Sequence, residues 1–92
     1  MSIQVYVVIG STGEYSDYMQ WYVCAYQDKS RADKHAQAAY DEAVKIDKER
    51  KSRYHSPTRT NPYDPKMRMD YTGTKYCVDA VDLLDAIPGI DD

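Results

Sequence analysis

Phenylalanine is missing from this chain, and cysteine, glycine and proline are scarce: two, four and four among 92 residues. Two cysteines, Cys24 and Cys77, fall short of the disulfide framework of a small secreted domain, so reduced thiols in a cytoplasm are expected. No apolar run reaches the roughly 18 residues that a membrane span requires. The opening Met1-Ser-Ile-Gln-Val5 has neither the charged nor the apolar region of a signal peptide, which again predicts a cytoplasmic protein. Tyrosine stands where phenylalanine would: ten Tyr beside a single Trp. Apolar residues make up 42% of the chain, enough for a globule and too many for full disorder. Size scaling for 10.6 kDa leaves about 64% of the unfolded surface buried. That predicts a single domain over residues 1–92 with one two-layer core, and no cavity for a large cofactor. Neither a cofactor nor a metal is expected.

The formal charge of −3 argues against a generic nucleic-acid or membrane binder, yet it hides a segmental asymmetry. Residues 1–28 carry three acids and no base, and residues 29–44 balance. Residues 45–68 hold eight bases against three acids, and residues 69–92 hold six Asp against Lys75. A basic middle therefore lies between acidic ends.

Ile3, Val5, Val7 and Ile9 alternate with Gln4, Tyr6 and Val8, the period of two of a strand with both faces apolar, hence a central one. Gly10-Ser-Thr-Gly13 is expected to break it, with a polar loop to about Met19. Trp21-Tyr-Val-Cys-Ala-Tyr26 is a second strand. Asp28 or Ser30 can then cap a long helix, Asp33 completing a weak capping box with Ser30. Ala32, Ala36, Ala39, Ala43 and Ile46 recur at spacings of 4, 3, 4 and 3, the strongest periodicity in the chain. Good helix formers continue to about Tyr54. A helix over 29–54 would be about 39 Å long, against about 23 Å for a seven-residue strand, so its last turns are expected to project past the sheet. Ser56-Pro57 ends it. Residues 56–73, with Pro57, Pro62, Pro65 and Gly73, form a long, partly stiffened loop, a kind that is usually functional or disordered.

Residues 74–87 admit two readings. Asp79, Asp82 and Asp85 at spacing three suggest a helix, whereas Tyr76, Val78 and Ala80 suggest a strand; the strand is preferred because two strands alone make a poor sheet. The fold class is then α+β, a small three-stranded antiparallel sheet in the order 2-1-3 with one long helix packed on one face. Residues 86–92 form a frayed tail.

No catalytic constellation emerges. Gly10-Ser-Thr-Gly13 lacks the following Gly-Lys-Ser/Thr and the helix that a phosphate loop needs. Glu14 and Asp17 read as solvated loop acids. His35 and His55 stand twenty residues apart, far from metal-ligand spacing. An enzyme acting through these residues has no positive support. The basic segment is the feature that can bind a partner. Asp47–Lys51 and Glu49–Arg53 lie at i, i+4 with the acid first, which favours internal pairing. Lys48, Arg50, Arg59, Lys66 and Arg68 have no acid at that spacing. With Lys51 and Arg53 they form a candidate partner- or RNA-phosphate-binding set, interleaved with Tyr54 and Tyr63, since bases hold phosphates while rings stack. Tyr15, Tyr18, Tyr63 and Tyr71 fall on expected loops and, with Tyr54, are candidate interface anchors.

Three stretches, Val7-Val-Ile-Gly-Ser-Thr-Gly-Glu-Tyr-Ser-Asp17, Asn61-Pro-Tyr-Asp-Pro-Lys-Met67 and Met69-Asp-Tyr-Thr-Gly73, resemble a family of small phage-encoded anti-CRISPR proteins directed against the type I-F system. The resemblance implies a stoichiometric inhibitor in the cytoplasm of the bacterial host. It would bind the RNA-guided surveillance complex and block target DNA binding or nuclease recruitment. Its partners would be Cas protein subunits and, through the basic segment, the guide RNA backbone, with the acidic ends facing basic subunits. The alternative is an independent single-stranded nucleic-acid-binding phage protein using the basic helix end.

Overall fold

The computed structural model describes residues 3–51, 59–70 and 72–90. Three strands, β1 (Ile3–Thr12), β2 (Met19–Tyr26) and β3 (Thr74–Leu83), and one helix, α1 (Lys29–Arg50), follow in the chain order β1, β2, α1, β3, with a 3-10 turn at Tyr15–Asp17. The sheet order is β2-β1-β3, with β1 antiparallel to both neighbours. The most apolar strand is thus the central one, and Thr74–Leu83 is a strand.

The alanine stripe explains where the helix lies. Ala32, Ala36, Ala39, Ala43 and Ile46 are all buried, and small side chains let the helix backbone approach the sheet closely. Val8 of β1 packs with Ala32 and Ala36, ringed by Tyr6, Cys24, Tyr26, Tyr76 and Val78. Full burial of Val8 and of Ile46 contributes about 1.5–3 kcal/mol each. Since Val8 pairs across to Cys24 and Val78, alternate residues from Tyr6 to Thr12 face α1. Ile3, Val5, Val7 and Ile9 face the other side.

Three boundaries differ from expectation. β1 runs on through Gly10 to Thr12, and β2 begins at Met19, so the connecting turn is short. Asp28 alone caps α1, accepting from Ser30 N–H at 2.9 Å. Asp33, which the capping box needed, pairs instead with Lys29 at 2.8 Å. The helix ends at Arg50, with Lys51 N–H returning to the Asp47 carbonyl oxygen at 3.1 Å. Its 22 residues span about 33 Å, matching about 33 Å for the ten-residue β1. The expected overhang therefore disappears, because the strand is longer and the helix shorter. Residues 52–54 of the expected helix lie outside the described residues.

Candidate interaction surface

The loop that precedes β3 is held by buried polar groups. Asn61 and Asp64 are each 1% exposed. The Asn61 amide donates to the Ala39 carbonyl oxygen of α1 at 3.0 Å, and its Oδ1 accepts from Tyr63 N–H at 2.9 Å. Asp64 N–H closes the turn on the Asn61 carbonyl oxygen at 3.0 Å. The Asp64 Oδ2 then accepts from Trp21 Nε1 at 2.9 Å and from the Tyr76 hydroxyl at 2.8 Å. One carboxylate thereby ties the loop to β2 and β3 at once, and no cation pairs with it among the described residues. Burial, followed by the hydrogen bond to Asp64, holds the Tyr76 phenol well above its ordinary range. Gly10 sits between these strands for a steric reason. A Cβ there would meet the Trp21 ring at 2.6 Å, so the indole lies across the bare backbone.

A second latch fastens the end of the loop. Thr12 Oγ1 lies 2.5 Å from the Gly73 carbonyl oxygen and accepts from Asp70 N–H at 3.1 Å. Asp70 Oδ1 accepts the N–H of Thr72 at 2.8 Å and its hydroxyl at 2.5 Å. Hydrogen bonding to Thr72 holds the Asp70 carboxyl below the usual carboxylate range. The three stretches that carry the family resemblance thus meet at one end of the sheet, where many of their residues serve the fold itself. Sequence reasoning passed over Asn61, Asp64 and Trp21. The available signal was Asn and Asp alternating with two prolines, a turn whose side chains bond their own backbone.

Of the seven bases expected to bind a partner, three are engaged within the chain. Arg50 Nη2 donates to Asp47 at 3.2 Å and to the Asp70 carbonyl oxygen at 2.5 Å, leaving 24% of its side chain exposed. Lys51 pairs with Asp47 at 3.1 Å, as its spacing predicts. Arg59 was expected to lack an acid, yet the returning loop carries it onto α1. There it pairs with Glu42 and, at 2.8 Å, with Glu49. Lys48, Lys66 and Arg68 are exposed, without an ion-pair partner among the described residues. Arg53 lies outside the described residues, as do Tyr54, Tyr71 and His55.

The tyrosines divide more sharply. Tyr15 is 94% exposed and has φ 54°, the one positive φ outside glycine among the described residues. A bulky residue in that region marks a turn under constraint. The constraint is visible: Gly13 has φ 90°, and a Cβ on it would meet the Asp17 carbonyl oxygen at 2.3 Å. The β1–β2 turn closes with Asp17 N–H on the Glu14 carbonyl oxygen at 3.1 Å and Tyr18 N–H on that of Tyr15 at 3.2 Å. Tyr18 is also exposed, its hydroxyl 3.1 Å from Gln20 Oε1. Tyr22, which was expected to pack in the sheet, is 74% exposed. Tyr63 is tied at its backbone: its carbonyl oxygen accepts from His35 Nε2 at 2.7 Å. That fixes the tautomer, so His35 Nδ1 accepts from the Tyr26 hydroxyl at 2.8 Å.

No family model matches the chain, and searches of curated proteins and of solved structures return no match. Its chemistry must be taken from the geometry. Among the described residues no group of three or more His, Cys, Asp and Glu side chains gathers to hold a metal. Cys24 and Cys77 are free thiols, on strands separated by β1. Burial pushes both up from the usual thiol range, assisted by Asp64 for Cys24 and by Asp79 for Cys77. Raised thiols are poor nucleophiles at neutral pH. No helix among the described residues is long and apolar enough to cross a membrane. What the surface offers is shape and charge: a projecting aromatic turn at one end of the sheet, and an acidic stretch on β3.

Proposed function

We propose that the protein is a stoichiometric inhibitor that binds the type I-F RNA-guided surveillance complex, in the host cytoplasm, and prevents target DNA binding or nuclease recruitment. The observation that carries this reading is Tyr15, almost wholly exposed on a constrained turn, with Tyr18 beside it. Such a ring supplies contact area at small entropic cost because the turn already holds it. The family resemblance supplies the partner. The acidic segments at either end of the chain favour basic protein subunits and speed encounter with them.

Contact with guide RNA is the weaker half of this reading. Arg50, Lys51 and Arg59 are committed to acids or carbonyl oxygens of the chain, which leaves Lys48, Lys66 and Arg68 as the described members of the set for phosphates. Independent single-strand binding loses support for the same reason. Catalysis is not part of the proposal.

The test mixes the purified protein with a type I-F surveillance complex and measures capture of target DNA and co-elution. Inhibition at near one-to-one stoichiometry is expected, relieved by Tyr15→Ala combined with Tyr18→Ala and little changed by Lys48→Glu. Undiminished capture of DNA together with absence of co-elution and of any block on nuclease recruitment would reject it.

A further inference from the structure

We propose that the open groove between α1 and β3 receives an extended, basic segment of a partner protein, which adds to the sheet as a fourth strand beside β3. The proposal does not depend on the partner being a guide-RNA complex.

Three observations converge on it. The first is backbone. β3 lies at the sheet edge and pairs along its whole ten-residue length with β1, and with no other strand among the described residues. Its outer N–H and C=O groups form a row of the kind that an added strand completes. The second is shape. A cavity of about 580 Å³ runs along this edge, walled by Ala36, Gln37 and Tyr40 of α1 and by Tyr76 and Val78 of β3. The opposite flank of the helix has no such opening at the level of Asp64, where the 59–67 loop fills it. An incoming strand would turn alternate side chains into this groove, over the apolar Ala36 and Val78.

The third is charge, and it selects the occupant. Residues 69–92 carry six Asp against Lys75. The register places Asp79 opposite Val7 and Asp82 opposite Gln4, so the two acids stand on opposite faces of the edge strand. Asp33 stands on the α1 rim of the groove. A strand with apolar residues opposite Tyr76, Val78 and Ala80, and Lys or Arg opposite Asp79, satisfies both faces. A second copy of this chain does not. Pairing β3 with β3 antiparallel would bring Asp79 and Asp82 against their own kind, and like charges across a ladder destabilise it.

The experiment titrates the full chain with a ten-residue peptide alternating valine and lysine, at low salt, and follows amide hydrogen exchange. Binding that weakens with salt and protects the β3 amides is expected. Asp79→Lys combined with Asp82→Lys should weaken it about tenfold or more and create affinity for the valine–glutamate peptide instead. Gln37→Lys leaves the strand untouched and should lower affinity for the valine–lysine peptide in the same direction. The proposal is overturned if the valine–lysine peptide fails to bind, if affinity ignores the charge reversals, or if protection falls on β2. Self-association of the protein that this peptide displaces would equally overturn it, in favour of a second copy as the occupant.

Discussion

The two flanks of α1 rest on the same sheet and are finished in opposite ways. On the β2 side, Asn61 and Asp64 bring the loop down against the helix and close the space with bonds to Ala39, Trp21 and Tyr76. On the β3 side, Tyr40 and Gln37 overhang an unfilled groove and a bare strand edge. The sealed flank places two buried polar side chains where only full satisfaction makes burial tolerable. The open flank leaves its polar groups to water. Stability therefore concentrates on one side of the helix, and capacity to bind on the other.

Substitutions can break this contrast. The largest effect is expected from Asp64→Ala, which orphans the Trp21 N–H and the Tyr76 hydroxyl together. At about 1–3 kcal/mol for each buried donor left unpaired, a loss of about 2–4 kcal/mol is expected. That is a large share of the roughly 5–14 kcal/mol typical of a domain this size. Urea unfolding measures it, and a midpoint within error of the parent would refute the account of Asp64. Asp64→Asn, which keeps an acceptor in place, should lose less.

A smaller effect follows from pH. The folded chain holds the Tyr76 proton more tightly than the unfolded chain does. That contribution is whole below the unfolded value of about 10 and is lost as pH rises beyond it. Stability should therefore decline on alkaline titration above about pH 10, and Tyr76→Phe should flatten that decline. An unchanged slope in the variant would remove Tyr76 from the explanation. The least effect belongs to the open flank. Gln37 is exposed and bonds only Asp41, at 2.9 Å, so Gln37→Lys should move stability by no more than about 0.5 kcal/mol. A larger loss would mean that the groove is structural.

Much of this architecture is legible in the chain, since it depends on local period. The 4-3-4-3 spacing from Ala32 to Ile46 names the buried face of α1, and the alternation from Ile3 to Ile9 names the central strand. Boundaries were harder because each is decided from a distance. Gly10 reads as a strand breaker, whereas its missing side chain is what admits Trp21 and lets β1 continue. The helix stops at Arg50, although good helix formers follow, as the Arg50 guanidinium is drawn to the Asp70 carbonyl oxygen. The latch of the sealed flank was illegible for the same reason. Asp64 meets Trp21 across 43 positions and Asn61 meets Ala39 across 22, separations that no periodic pattern encodes. The basic set shows the reverse error: Arg59 looked unpaired only because its acids lie a turn and a half apart on a helix the loop returns to.

Trp21 is the sole tryptophan of the chain, and it stands with its indole N–H on the Asp64 carboxylate. The molecule thus carries a built-in optical reporter at the junction of loop, β2 and β3. Excitation at wavelengths that spare tyrosine would follow that one junction. Detachment of the loop would move the indole from a carboxylate-bonded, half-covered site into water, shifting its emission to the red. Occupation of the far groove would leave the emission nearly still.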